Sequence, residues 1–465
     1  MALRFMSVED MEEYLKPFVE TEGEVKVLDR EGLRGDPIDR LVYNAVFHED
    51  ERQRGVTRAL IKEIANQVGA VASSIQGLYD AMGRGEVSGF SVPAVNIRGM
   101  TYDIARALFR TGIKNRSGAF LFEIAKSEIG YTFQEPAEFA VVVIAAAIKE
   151  GWEGPLFIQG DHFQLKAKNF ISDPDKEVNG VKELMQKAID AGFYNIDIDS
   201  STLVDLDRSG IPAQQKDNYE QAAELTKYIR SIEPKGITVS VGGEIGEVGH
   251  KNSTVEELEA YMDNYKTLIP DGMKGISKMS VQTGTSHGGI PLPDGSVAEV
   301  ALDFDTLEAI SVVARDKYGL SGAVQHGAST LPDELFHRFP ETATSEIHLA
   351  TGFQNMVYDG GKLPEDLKSR VYGWLKENCA GEKKDGETEE QFIYKTRKKG
   401  FGPFKKEFWT LPEEVRNGIT GDLEAKFDFL FKKLGAVDNI DIVKKYVEIV
   451  PVKPDIDTEI RAASA

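Results

Sequence analysis

The sequence predicts a (β/α)8 barrel with helical extensions at both ends. Short β-rich runs alternate along the middle of the chain with amphipathic helical stretches. Eight such units occupy roughly 270 residues, close to the length of ~250 that this barrel typically takes. A doubly wound sheet also alternates strands and helices, but its ligands bind at one switch point. Here polar residues end many different runs, which favours the barrel.

The predicted strands end mainly in Gly, Asp, His or Asn, or just before such residues. They are Phe90–Ile97, Ala119–Ala125, Leu156–Asp161, Asn195–Asp199, Thr238–Gly246, Ile276–Thr283, Gly322–His326 and Ser345–Leu349. We expect three regions: a helical N-terminal extension over 1–85, the barrel over 86–361, and a charge-rich helical extension over 362–465 involved in oligomer contacts.

Composition limits the partners and the compartment. The 465 residues carry a net charge of −21, which argues against nucleic-acid or membrane-surface binding. The single cysteine, Cys379, permits no internal disulfide, and the first residues lack a signal-peptide pattern. The longest apolar run, Phe139–Ile148, is shorter than the ~20 residues that span a bilayer, so it predicts a buried helix. A cytoplasmic location is expected.

Three of the seven histidines have neighbours that suit metal ligation. His162 follows Asp161 at the end of predicted strand three, His287 follows strand six, and His326 closes strand seven. Strand ends converge at the mouth of a barrel, and three imidazoles with an open position form a catalytic zinc arrangement. A lone histidine of this kind is more often structural, but three on converging ends predict one divalent metal, Zn²⁺ by default or Mn²⁺, Co²⁺ or Fe²⁺.

Carboxylates accompany these histidines. Asp161, one residue from a ligand, could shuttle a proton or orient a neighbouring group. Asp199 and Glu244 also end strands, where each could bind the metal, orient a ligand or cap the strand. Glu244 is the better candidate ligand because the glycines around it leave room to approach an ion.

Two glycine-containing turns could bind an anion. Gly288-Gly289 and Gly327-Ala-Ser329 leave backbone N–H groups that can cradle phosphate, although glycine after a strand is common. Phosphate sites recur after strands seven and eight of such barrels. The basic stretch Tyr394–Lys406 could supply a second anion contact, or could be a solvated charged face.

Together these motifs resemble the class II fructose-bisphosphate aldolases, which are metal-dependent (β/α)8 enzymes. The segments that carry the resemblance occur in order: Phe90-Ser-Val-Pro-Ala-Val-Asn96, Gly160-Asp-His-Phe163, Ile198-Asp-Ser-Ser201, Gly243-Glu-Ile-Gly-Glu-Val-Gly249, Gly284-Thr-Ser-His-Gly288 and His326-Gly-Ala-Ser-Thr-Leu-Pro-Asp-Glu334. In the tail, Tyr394-Lys-Thr-Arg397 resembles the Tyr-x-x-Arg of the longer, dimeric class IIA enzymes.

The resemblance implies reversible cleavage of fructose 1,6-bisphosphate to dihydroxyacetone phosphate and glyceraldehyde 3-phosphate. Asp161 would be the acid/base residue, and His162, His287 and His326 the metal ligands. Further implied substrate contacts are Asn96, Gly288, Gly327, Ser329, His348 and Thr351. Arg397 would reach the active site of a partner in a homodimer or larger homo-oligomer and bind the second, distal phosphate there. A monovalent cation is a further possible cofactor.

The sequence departs from the family pattern at several positions. Gly249-His-Lys-Asn-Ser253 lacks the family's loop acid, so a second base is needed, for which Glu247 is the candidate and His250 the other option. No lysine follows His287 closely, and His348-Leu-Ala-Thr351 replaces Asn-Ile-Asp-Thr. Two alternatives therefore remain open: an aldolase for tagatose 1,6-bisphosphate or another phosphorylated ketose, and a non-catalytic aldolase-like partner subunit.

Overall fold

A computed structural model describes residues 4–246, 251–284 and 302–464 and shows a closed parallel barrel of eight strands. The barrel strands are β1 (Val92–Asn96), β2 (Leu121–Ala125), β3 (Gly154–Gln164), β4 (Asn195–Asp199), β5 (Ser240–Gly246), β6 (Lys278–Val281), β7 (Ala323–Gln325) and β8 (Glu346–Leu349). Each strand pairs in parallel with the next, and β8 pairs with β1. Closure confirms the predicted barrel and rules out the doubly wound sheet.

The barrel strands are buried along most of their length, as expected for a sheet surrounded by helices. Six of them nevertheless carry an ionisable residue, and those that lie in the barrel interior are Glu123, Asp197, Lys278 and Glu346. Burial of such groups requires partners of opposite charge or hydrogen bonds, so the barrel interior must contain a polar network.

Helices surround the barrel in the order that the alternating pattern predicts. They are Thr101–Lys114, Lys126–Thr132, Pro136–Glu150, Ala167–Ser172, Pro174–Ala191, Ile211–Gln214, Lys216–Ile232, Val255–Leu268, Phe304–Tyr318, Arg338–Glu341 and Thr351–Asp359. Pro136–Glu150 contains the long apolar run and is the buried helix that was predicted. Within the described residues no single helix is long and apolar enough to span a membrane. Lys126–Thr132 and Pro136–Glu150 pass that test only as a pair bent by 85°.

The N-terminal region joins the bottom of the barrel. Its elements are helices Val8–Leu15, Arg30–Leu33, Asp36–Phe47, Glu51–Val68 and Gln76–Gly83, an antiparallel ribbon of Val19–Glu20 and Lys26–Val27, and the strand Ala70–Ala72. That strand pairs in parallel with the start of β3. The N-terminal residues are therefore continuous with the barrel sheet.

The C-terminal region packs against the N-terminal helix Glu51–Val68 and against the loop after β1. Its helices are Glu365–Asn378, Glu389–Thr396, Lys405–Trp409, Glu413–Lys433, Ile440–Tyr446 and Ile456–Ala463, with a 3₁₀ segment at Arg397–Phe401. A Cβ on Gly55 would lie 2.5 Å from the Ile460 Cα, so the last helix packs directly on the N-terminal helix Glu51–Val68. A Cβ on Gly99, just after β1, would lie 2.1 Å from the Phe401 ring. This close packing places the basic stretch of the tail beside the barrel mouth.

Candidate active site

A bulge in β3 presents two adjacent side chains to the same mouth. Gly160 pairs with Ile196 and Phe163 with Ile198, so β3 has one more residue than β4 between these pairs. His162 accordingly adopts a φ of 43°, a left-handed conformation that is uncommon outside glycine. In a regular strand Asp161 and His162 would face opposite sides. Because of the bulge, the side chains of both Asp161 and His162 face the site.

His162 lies against two carboxylates from the neighbouring strands. Its Nδ1 is 3.1 Å from Asp199 Oδ2 and 3.1 Å from Glu244 Oε2, while its Nε2 is 3.7 Å from Asp161 Oδ1. A second bulge, between Glu244 and Gly246 of β5, follows Glu244 directly. The predicted association of Glu244 with the histidine site is therefore present in the geometry.

The imidazoles of His162, His326 and His348 form a row across the mouth, with adjacent rings tilted by 38° and 37°. The ring centroids of His162 and His326 are 4.3 Å apart, and those of His326 and His348 are 4.0 Å apart. His326 Nε2 lies 3.1 Å from Ser280 Oγ, and His348 Nδ1 lies 3.3 Å from Asp161 Oδ1. Asp161 thus lies between histidines of β7 and β8, the position from which a carboxylate can exchange a proton with a bound substrate.

The donor set fits a divalent metal. One ligand atom each from His162, Glu244 and His326 lies within 4.8 Å of the others, and the same holds for Asp161, His326 and His348. Imidazole nitrogens with carboxylate oxygens suit Zn²⁺, Mn²⁺, Co²⁺ and Fe²⁺.

Four sequence-predicted positions cannot be placed by the structure. His287, the expected ligand after β6, the anion contact Gly288 and both candidate second bases, Glu247 and His250, lie outside the described residues. Their assignments stay predictions.

The site attracts cations electrostatically. Burial, together with the charge of Asp199, raises the pKa of Glu244 to about 7. Burial opposes charge on His162, yet the carboxylates of Asp161 and Glu244 raise the pKa of its imidazole well above the usual value. Burial also opposes ionisation of Asp199, but hydrogen bonding to His162 holds the pKa of Asp199 below its usual range. Carboxylates outnumber permanent cations at the mouth, so a divalent ion would compensate buried negative charge.

Below this layer, Lys278 neutralises the carboxylates of the barrel interior. Its Nζ lies 2.9 Å from Asp197 Oδ1, 2.5 Å from Glu346 Oε1 and 2.7 Å from Gln159 Oε1. Glu346 Oε1 is also 2.6 Å from His348 Nε2, so this carboxylate contacts both Lys278 and the row of histidines. Burial opposes ionisation of Glu346, but the ammonium group of Lys278 lowers the pKa of that carboxyl strongly.

The motif analysis did not identify this interior network. Asp197, Lys278 and Glu346 lie inside predicted strands, where an ionisable residue is exceptional, and that is the signal that could have revealed them. His348 was assigned only to substrate. The structure surrounds it with Glu123, Asp161 and Glu346, so it connects the mouth to the interior network.

Replacing Lys278 by methionine should destabilise the protein by about 3–5 kcal/mol, because Asp197 and Glu346 would remain buried without their cation. The free energy of unfolding in urea measures the effect. Lys317→Met is the matched control, since Lys317 forms exposed pairs with Glu259 and Asp263 and should change stability by only about 0–1 kcal/mol. Equal stability of the two variants would contradict the role given to Lys278.

The predicted anion contacts of β7 and β8 meet in space. Gly327 has a φ of 70° and leads into the short 3₁₀ helix Ala328–Thr330. The Gly352 backbone N–H donates to Ser329 Oγ at 3.1 Å, at the start of helix Thr351–Asp359. Thr351 lies at that helix N-terminus, where backbone N–H groups favour negative charge. The arrangement suits a phosphate.

Asn96 is placed at the mouth but its amide is engaged within the chain. Its Nδ2 donates to Glu128 Oε2 at 2.6 Å, and Arg98 Nε donates to Glu128 Oε1 at 2.7 Å. Arg98 Nη1 also donates to Gln354 Oε1 at 2.9 Å. Neither Arg98 nor Glu128 was singled out from the sequence, because their segments match no motif that was considered.

Arg397 is engaged by Asp359 and Asn355 of its own chain. Both of its terminal nitrogens lie 2.7 Å from the Asp359 carboxylate oxygens, and Nη2 also donates to Asn355 Oδ1. The guanidinium carbon lies 4.8 Å from the Tyr394 ring centroid, and only 4% of the residue is exposed. The prediction that Arg397 contacts substrate of a partner chain stays a prediction, and it would require the ion pair with Asp359 to open.

Comparison with known proteins agrees with this geometry. The family model described as fructose-bisphosphate aldolase class-II matches residues 78–398. A search of curated proteins finds no match.

Similar solved structures match this chain at low sequence identity. A fructose-bisphosphate aldolase from Campylobacter jejuni is 16% identical, with 79% of this chain and 97% of that chain covered and a TM-score of 0.47. A probable tagatose 6 phosphate kinase from Sinorhizobium meliloti is 15% identical, with 80% and 97% covered and a TM-score of 0.50. A fructuronate-tagaturonate epimerase from Cohnella laeviribosi is 13% identical, with 75% and 82% covered and a TM-score of 0.53.

Proposed function

Because the chain belongs to the class II fructose-bisphosphate aldolase family, we propose that it catalyses reversible aldol cleavage of fructose 1,6-bisphosphate. The observation that carries this proposal is the convergence of Asp161, His162, Glu244 and His326 at one mouth of the barrel. Cleavage of a C–C bond next to a ketone requires a group that exchanges a proton and a divalent metal that stabilises negative charge. Asp161 could provide the first, and the neighbouring donors could bind the second.

The metal would be held by His162 and His326, with His287 as the expected third imidazole and Glu244 as an additional donor. When bound, it supplies Lewis-acid stabilisation of the negative charge that develops on the ketone oxygen. Asp161 takes the proton of the C4 hydroxyl as the C3–C4 bond breaks. The bond's electron pair stays with the three-carbon half, and the aldehyde half leaves as glyceraldehyde 3-phosphate.

A second group must return a proton to C3 to complete dihydroxyacetone phosphate. Glu247 is the proposed donor, with His250 as the other option, and both follow β5 in the sequence. The phosphate of the three-carbon half would bind at Gly327, Ser329 and Thr351, with Gly288 as a further expected contact. These groups come from the ends of β7 and β8, next to the histidines.

Chelation should abolish activity reversibly. Dialysis against a chelator followed by buffer exchange should reduce cleavage to background, because the protein's own groups cannot replace the cation that stabilises the developing charge. Zn²⁺, Mn²⁺ or Co²⁺ should restore it, whereas Mg²⁺, which prefers all-oxygen ligands, should restore less. Metal content and activity measured on the same samples give the test. Full activity after complete metal removal would contradict the metal assignment.

A substrate panel tests the identity of the ketose. The purified, metal-loaded chain is assayed in parallel with fructose 1,6-bisphosphate and tagatose 1,6-bisphosphate, with dihydroxyacetone phosphate as the common product. A higher kcat/KM for the fructose compound supports the proposal, and the reverse order supports a tagatose-bisphosphate aldolase. Absence of cleavage with both would favour the non-catalytic partner-subunit alternative.

A further inference from the structure

We propose that Arg98 and Lys398 of the same chain bind the distal phosphate of the substrate, the function first assigned to Arg397. This inference rests on the proposed function, because it names the subsite that distinguishes a bisphosphate from a monophosphate. Arg98 follows β1 and Lys398 lies in the tail that packs on the loop after β1. Both are therefore at the mouth that contains Asp161 and the histidines.

Arg98 is held in a fixed position by neutral and acidic partners. Its Nε donates to Glu128 at 2.7 Å, and its Nη1 donates to Gln354 at 2.9 Å and approaches Thr351 Oγ1 at 3.5 Å. Thr351 is one of the residues predicted to contact phosphate. The guanidinium group therefore connects β1 with the start of the helix after β8, at the edge of the predicted anion site.

Lys398 supplies charge that the protein itself does not neutralise. Among the described residues no carboxylate forms an ion pair with its ammonium group, whereas the neighbours Lys395 and Lys399 pair with Glu387 and Glu382. Its Nζ lies 5.8 Å from the centroid of the Tyr131 ring. Tyr131 lies one helical turn after Glu128, the residue that pairs with Arg98, so Arg98 and Lys398 both contact helix Lys126–Thr132. Burial, and then the charge of Arg98, lower the pKa of Lys398.

The local backbone explains why Lys398 and not Arg397 faces the mouth. Both belong to the 3₁₀ segment Arg397–Phe401, in which successive side chains point about 120° apart. Arg397 pairs with Asp359, and the next side chain leaves another side of the turn, with the Lys398 Nζ 5.8 Å from the Tyr131 ring centroid. The Tyr131 hydroxyl is buried beside Glu128, without a hydrogen bond of good geometry to any described residue.

The net positive charge of Arg98, Lys398 and Glu128 favours binding of a phosphate over binding of an uncharged end of a sugar. Arg98 and Lys398 carry two positive charges, and the single negative charge of Glu128 offsets their mutual repulsion only in part. A guanidinium group and an ammonium group both donate charge-assisted hydrogen bonds to phosphate oxygens. Binding a dianion here would relieve the repulsion and complete the donors at the mouth.

The kinetic test compares fructose 1,6-bisphosphate with fructose 1-phosphate, which lacks the distal phosphate. Lys398→Met should raise KM for the bisphosphate about ten-fold to a hundred-fold, the range expected for losing a hydrogen bond to a charged group. KM for fructose 1-phosphate should not change. Lys398→Glu should raise KM for the bisphosphate further. Lys399→Met is the matched control and should behave as wild type, because Lys399 pairs with Glu382.

The experiments distinguish a wrong assignment of the phosphate subsite from a wrong assignment of the reaction. Unchanged kinetics of Lys398→Met with the bisphosphate, or an equal loss with both sugars, overturns the subsite. If wild-type protein cleaves neither sugar, the proposed function fails, and the subsite is then judged by equilibrium dialysis with radiolabelled inorganic phosphate. Weaker phosphate binding by Lys398→Met than by Lys399→Met supports the subsite, and equal binding by the two variants overturns it.

Discussion

His326→Ala should lose both metal binding and turnover. Among the described residues His326 belongs to two of the three candidate ligand groups, with His162 and Glu244 in one and Asp161 and His348 in the other. Removing the His326 imidazole therefore disrupts both groups in the described part of the chain that contain two histidines. A metal that stabilises developing charge contributes several kcal/mol, so kcat/KM should fall ~1,000-fold or more.

Metal content by elemental analysis and cleavage activity are measured on the same preparation of His326→Ala. His337→Ala is the matched control, because His337 is exposed on the surface and its Nδ1 contacts only the backbone carbonyl of Glu334 among the contacts seen. That variant should keep wild-type metal content and activity. Wild-type turnover by His326→Ala would show that the site has been assigned to the wrong histidines.

Asp161→Asn should retain the metal but lose cleavage. The substitution preserves the shape of a side chain whose Oδ1 lies 3.3 Å from His348 Nδ1 and 3.7 Å from His162 Nε2. It removes the ability to accept the C4 hydroxyl proton, and loss of a positioned acid/base group costs ~100-fold to 10,000-fold in rate. The kcat for fructose 1,6-bisphosphate cleavage gives the measurement.

A partial reaction distinguishes a chemical role of Asp161 from a structural one. Exchange of the C3 proton of dihydroxyacetone phosphate with deuterated solvent does not involve the C4 hydroxyl, so Asp161→Asn should keep this exchange close to the wild-type rate. His326→Ala should lose it. Asp263→Asn, a change on the exposed side of helix Val255–Leu268, is the control for the substitution itself. Loss of metal or of proton exchange in Asp161→Asn would contradict the assignment of Asp161 to the C4 hydroxyl.

The sequence by itself determined the alternation of strands and helices and the placement of histidines at strand ends. All eight predicted strands are present, and His162 and His326 are neighbours as expected. These features are readable because they depend on local periodicity and on the rule that strand ends of a barrel converge. The family resemblance depends on the same segments, and the matched range of 78–398 confirms it.

Only the tertiary structure decided which side each functional group faces. The β3 bulge turns Asp161 and His162 to one mouth, and the 3₁₀ turn directs Arg397 to Asp359 and Lys398 toward Tyr131. A shift of one residue reverses the direction of a strand side chain, and no local pattern marks such a shift.

The interior cluster of Lys278, Asp197 and Glu346 likewise joins residues that are 68 and 81 positions from the lysine. Buried charges are tolerated only when such distant partners meet. The local sequence therefore determines where the strands end. Closure of the barrel determines which charged groups meet and which way the side chains at the mouth point.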